Sequence, residues 1–184
     1  MKKAGSLPYL EKSMNIFVVD SNPYVAARSL PDKLLVKMPV ESSQMLAVAF
    51  SEQYGVTLPK KDGSPYKTNG FRNHPCTLWV RKSVPARAWL IAHALELCST
   101  FEQVYGKPHG CLNALQTART ILEAYHAYGL DYHWPAAVPT FVGAFTDPSL
   151  HSIPNKIEAY RKYISLKPYA HLFRDSSRIP SWLL

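Results

Sequence analysis

Residues 32–54, DKLLVKMPVESSQMLAVAFSEQY, carry the repeat that decides the fold. Leu35, Met38, Met45, Ala49 and Phe50 recur at the spacing of one helical face, and Asp32 is placed to cap the start. Pro39 interrupts the run: lacking an N–H, it either kinks the helix or marks its true beginning, where the missing donor costs nothing. Inside the apolar stripe stands Glu41, three residues after Met38 and four before Met45. A carboxylate on that face loses water, which raises its pKa unless a cation or hydrogen bonds compensate, and Lys37 one turn earlier is the nearest partner. Carboxylates held in this way are frequent acid–base or charge-stabilising groups. The plainer reading is a helix-edge glutamate in an i,i+4 pair, worth about 0.3 kcal/mol.

Working outward, the same period predicts helices over 85–105 (Leu90, Ala94, Leu97, Phe101, Val104, ended by Gly106), 112–128 (Leu115, Ile121, Leu122, Tyr125) and 155–166 (Ile157, Tyr160, Ile164). Upstream, Ile16-Phe17-Val18-Val19 is too short for a helix and predicts a strand or a buried extended segment. Residues 55–70, GVTLPKKDGSPYKTNG, predict a long exposed loop, and 132–154 a connection rich in proline and aromatic residues. The expected fold class is mainly α: a 13-residue N-terminal extension, then a single compact helical domain over 14–184 that opens with a short extended segment.

Twenty-one Lys and Arg against 13 Asp and Glu give a net charge of +8, a field that attracts polyanions. No apolar run reaches the ~20 residues of a membrane span and no signal-peptide core opens the chain, so a cytoplasmic, monomeric protein is expected, with nucleic acid rather than membrane as partner. Cys76, Cys98 and Cys111 lack CxxC spacing and predict free thiols. In GFRNHPCTLWVRK, residues 70–82, Arg72, Asn73, His74, Arg81 and Lys82 surround Phe71 and Trp79, a mixture suited to phosphates and to stacking on bases; the alternative is that the rings are core and the charges merely solvated. His74 with Cys76 and His109 with Cys111 lack the spacing of a zinc site. With no phosphate loop, dinucleotide fingerprint or serine elbow either, no metal and no cofactor are expected.

Taken together, MNIFVVD at Met14, DKLLVKMPVE at Asp32, NHPCTLWVR at Asn73 and RIPSW near the end resemble the pyrimidine-dimer DNA glycosylases, as divergent members known from phages and bacteria. The family places its catalytic Glu nine residues after a helical Asp, the spacing of Asp32 and Glu41, and the basic tail with Arg178, Pro180 and Trp182 also recurs. The resemblance implies a helical domain pressed on double-stranded DNA that unstacks a nucleotide and cleaves an N-glycosidic bond, the base being a damaged or phage-type modified pyrimidine. Glu41 would then stabilise the cationic sugar or activate the attacking group. Lys33, Lys37, Arg72, Asn73, His74, Arg81, Lys82, Arg178 and Trp182 would hold the DNA.

The chain departs from the family pattern in three places. The family attacks the sugar with its N-terminal amine, but 13 residues precede Met14 here. Either translation starts at Met14, or water attacks, an abasic site is left without a nick, and Asn15 occupies the pocket; the second is the reading adopted. A family His two residues after the Asp is Leu34, and Pro39 replaces an ordinary helical residue. Competing with the enzyme is a non-catalytic basic DNA-binding or phage accessory protein.

Overall fold

The stripe on residues 32–54 folds as one helix. A computed structural model of the chain describes residues 14–126 and 140–184. In order these form α1 (Pro23–Arg28), α2 (Asp32–Tyr54), α3 (Pro75–Lys82), α4 (Val84–Tyr105), α5 (Leu112–His126) and α6 (Lys156–Ser165), with short 3-10 turns at Pro148–Ser152, Ser176–Arg178 and Ser181–Leu183. The fold is mainly helical, and the described residues contain no strand. The proposed extension 1–13, the last two residues of the predicted 112–128 helix and residues 132–139 of the predicted connection lie outside the described residues.

Helix α4 is the hub, packing on α1, α2, α3 and α5. Its sequence explains this position: Ala86, Ala88, Trp89, Leu90, Ile91, Ala92, Ala94, Leu97 and Phe101 are buried around the full circumference, the pattern of a helix enclosed on all sides. Ser83 caps it by accepting the Ala86 N–H, with Pro85 in the first turn, and Gly106 ends it at φ 69°, a left-handed conformation that glycine adopts without strain. Residues 14–19 form a buried segment, not a strand, and Phe17 at φ 57° turns it out of a fully extended path. Phe17 within it stacks on Tyr163, ring centroids 5.9 Å apart, and so ties the segment to α6.

Of the two readings of Pro39, α2 excludes a later start, since it runs through the proline; the ring is buried, and the Pro39 carbonyl accepts a hydrogen bond from Ser43 Oγ at 2.8 Å. One detail of α2 differs from expectation: Asp32 does not cap it. Pro31 is the N-cap, and the Asp32 carboxylate turns outward from the helix to the C-terminal tail, where Oδ2 accepts the Arg174 N–H (2.8 Å) and Oδ1 accepts Arg178 Nη1 (2.6 Å). Arg178 Nη2 also donates to the Leu30 carbonyl at 2.7 Å. This nearly buried pair corrects the reading of Arg178 as a DNA contact, because its guanidinium is spent on the start of α2. Arg178→Met should therefore cost about 3 kcal/mol in urea denaturation, by leaving a buried carboxylate without its cation, and adding Asp32→Asn should recover part of the loss.

The predicted loop at 55–70 is more ordered than its composition suggests. An isolated bridge joins Pro59 to Pro65, the Asp62 carboxylate accepts the Ser64 N–H (3.0 Å), Leu58 is fully buried, and the Tyr66 hydroxyl meets Cys111 Sγ at 3.3 Å.

Candidate active site

Glu41 projects from α2 at the floor of a cleft of about 330 Å³ lined by Met14, Lys37, Val40, Gln44 and Phe71. The helix puts it there for the reason the stripe implied: Met38 and Met45 on either side are wholly buried, and Glu41 between them is only 9% exposed. Both carboxylate oxygens are held. Oε1 pairs with Lys37 Nζ at 2.9 Å, the i,i+4 partner, and Oε2 accepts the Asn15 backbone N–H at 2.8 Å. Burial nevertheless outweighs the Lys37 and Asn15 contacts and raises the pKa of Glu41 above the usual carboxylate value. The result is a carboxylate kept dry on one side and open to the cleft on the other.

A relay of hydrogen bonds fixes the Asn15 amide. The Tyr160 hydroxyl, on α6, donates to the Val142 carbonyl (3.0 Å) and accepts the Ala144 N–H (3.2 Å). The Ala144 carbonyl in turn accepts Asn15 Nδ2 at 2.6 Å, while Asn15 Oδ1 accepts the N–H groups of Ile16 and Phe17. The side chain of Asn15 is thus consumed in holding its own segment, which corrects the expectation that it occupies the pocket; Met14 lines the cleft, and Asn15 acts through its main chain. Cys76 lies close enough for the Glu41 charge to act on it, yet burial first and that charge second push its thiol up to about 12, so it is no thiolate nucleophile near neutrality.

The basic residues separate into those near the cleft and those used elsewhere. Lys33, one turn before Lys37, is exposed, with Nζ 4.9 Å from the centre of the Tyr169 ring. Arg72 and Arg81 converge on one carboxylate, Glu52, Arg72 at 2.8 Å, so their charge is partly neutralised. Asn73 and Lys82 are exposed on the same segment. His74 is the N-cap of α3, its Nδ1 accepting the Cys76 N–H at 3.2 Å, and burial lowers its pKa. Trp182 is half-buried against the core with the Arg161 guanidinium 5.8 Å from its ring, outside the cleft. Trp79 is core, 6.1 Å from Trp89, whereas Phe71 is exposed. Gln44 was not singled out in the sequence, although its position three residues after Glu41 puts it on the same helical face.

Among the described residues no group of His, Cys, Asp and Glu is arranged to hold a metal, and no helix is long and apolar enough to cross a membrane. With this geometry in view, comparison with protein families gives one match: residues 14–103 fit the model described as pyrimidine dimer DNA glycosylase. That stretch, just under half of the chain, is similar to the pyrimidine-dimer DNA glycosylases. Comparison with curated proteins and with solved structures found no match. The matched stretch holds every residue that lines the Glu41 cleft, together with Asn15; the Ala144 carbonyl and Tyr160 that brace it lie beyond.

Proposed function

We propose that the protein is a DNA glycosylase that cleaves the N-glycosidic bond of a damaged or modified pyrimidine in double-stranded DNA. One observation carries this reading: a buried carboxylate of raised pKa, fixed through both oxygens, faces a cleft large enough for an extruded base in a protein of net charge +8. The family match, a family of DNA glycosylases, points to the same chemistry.

The reaction follows from the charges. As the glycosidic bond breaks, its electron pair leaves with the base and the sugar becomes cationic; the Glu41 carboxylate, ionised and poorly hydrated, lowers the energy of that cation. Water then adds at C1′ on the face held by Glu41, which takes the proton, while the departing base gains one from solvent. The products are the free base and an abasic site. Water is favoured over an amine because neither nitrogen at Glu41 offers a free lone pair: the Asn15 peptide N–H has its lone pair delocalised, and the Lys37 ammonium is held in the ion pair with Oε1. Lys33, Lys37, Lys82 and Asn73, with the partly neutralised Arg72 and Arg81, would contact phosphates and position the strand.

The deciding experiment incubates the protein with plain, ultraviolet-irradiated and base-modified duplexes, then treats them with alkali. Alkali-labile breaks confined to the damaged or modified DNA are expected; binding without breaks would favour a non-catalytic DNA-binding protein, and activity on free nucleosides or RNA would reassign the substrate. Borohydride should trap no covalent adduct, and an adduct mapping to Lys37 would replace water by that amine. On the binding side, Lys33→Ala and Lys82→Ala should each weaken affinity alike for all duplexes and reduce the slope of log K against log salt by about 1. A sequence-selective loss would contradict a phosphate role.

A further inference from the structure

Phe71 stands in the left-handed region at φ 54°, which a bulky residue rarely adopts and which costs on the order of 1–3 kcal/mol. Burial does not repay this, because the residue remains 46% exposed at the rim of the Glu41 cleft. The turn is held nonetheless: the Phe71 carbonyl accepts the His74 N–H at 3.0 Å, and the next side chain, Arg72, is tied to Glu52. Gln44, which also lines the cleft, is half-buried, and its amide has no hydrogen-bond partner among the described residues. A strained, exposed ring and an unpaired amide lining one cleft suit a flat ring with a polar edge.

We propose that Phe71 and Gln44 recognise one extruded pyrimidine ring in the Glu41 cleft, Phe71 by stacking on its face and Gln44 by pairing with its polar edge. The other cleft-lining residues suit the sugar or the sides of the ring: Glu41 and Lys37 are polar, Met14 and Val40 aliphatic, so Phe71 supplies the aromatic face. An amide offers a donor and an acceptor side by side, the match for adjacent ring N and exocyclic groups of a pyrimidine. The volume, about 330 Å³, is near the lower end of the roughly 300–1,000 Å³ of ligand pockets and has room for an extruded base. The proposal rests on the glycosylase reading for its substrate, but its test does not require turnover.

The probe is a duplex carrying one pyrrolocytosine, a cytosine analogue, opposite an abasic site and a fluorescein at one end, with affinity read by fluorescein anisotropy on the full chain. Phe71→Ala should weaken binding at least about tenfold, as expected for one base–aromatic stack. Phe71→Tyr should stay within about threefold of wild type and Phe71→Leu should remain as weak as Ala, because the π-face rather than bulk is required. Gln44→Leu should weaken binding to this duplex but not to the same duplex with the analogue replaced by a second abasic site. Any other ranking of the three Phe71 variants, or an equal loss on both duplexes for Gln44→Leu, overturns the proposal. If Phe71→Ala melts early, the Leu against Tyr contrast decides. A wild type that yields no alkali-labile product on any DNA, while these affinities rank as stated, defeats the glycosylase reading and leaves the recognition standing.

Discussion

Glu41→Gln should abolish excision while leaving DNA binding intact, with single-turnover rates falling about 10³-fold. The magnitude follows from removing a charge fixed against a developing cation, which in comparable sites costs about 10²–10³ in rate. Gln can still accept the Asn15 N–H, so the geometry of the floor is retained and the lost quantity is the charge. Stability should move the opposite way. Because burial raises the pKa of Glu41 in the folded state, its ionisation costs more in the folded protein than in the unfolded chain, and the charge carried at neutral pH works against folding. Glu41→Gln is therefore expected to melt at the same temperature as wild type or higher at pH 7. A variant that is both inactive and destabilised would mean that Glu41 serves the fold and not the reaction.

The second large effect concerns His93, which lies on α4 with its ring wholly buried and stacked on Trp89, centroids 5.0 Å apart. Among the described residues neither ring nitrogen has a hydrogen-bond partner. Burial lowers its pKa from 6.5 to about 3, so the folded protein keeps the imidazole neutral. Below pH 6.5 the unfolded chain takes up a proton that the folded one refuses. Stability is thus complete above that pH and falls as acid is added, by up to about 5 kcal/mol near pH 3. Urea midpoints measured from pH 7.5 to 4 should decline steeply, and His93→Phe should flatten the decline without loss at neutral pH, because an unpaired polar ring is exchanged for an apolar one of similar shape. An equally steep decline in His93→Phe would assign the acid sensitivity to other groups.

How much of this was legible in the sequence depended on which force dominated at each residue. The long helices were readable because apolar periodicity and burial agree, and Glu41 was conspicuous because it breaks that agreement between Met38 and Met45. Helix α1 was missed. Ser21-Asn22-Pro23 reads as a turn, although Asn22 accepts the Tyr24 and Val25 N–H groups and Pro23 occupies the first helical position, the order of a helix start. Tertiary contacts were the least visible. Nothing local says that Asp32 turns from capping to meet Arg178, 146 residues away, or that Asn15 is occupied by Ala144. Likewise the exposed Phe71 and the buried Trp79 share one short aromatic, basic segment, and only packing against Trp89 separates their fates.

The brace from Tyr160 through Ala144 to Asn15 has a consequence for how this protein is divided. A fragment stopped at residue 103 would keep every wall of the cleft yet strand the Asn15 carboxamide without an acceptor and strip Phe17 of its stacking partner. The peptide that orients the carboxylate would then be free to swing. The cleft built by the first half of the chain is held in aim by the second, and a unit that keeps this geometry extends beyond the stretch that the family model matches.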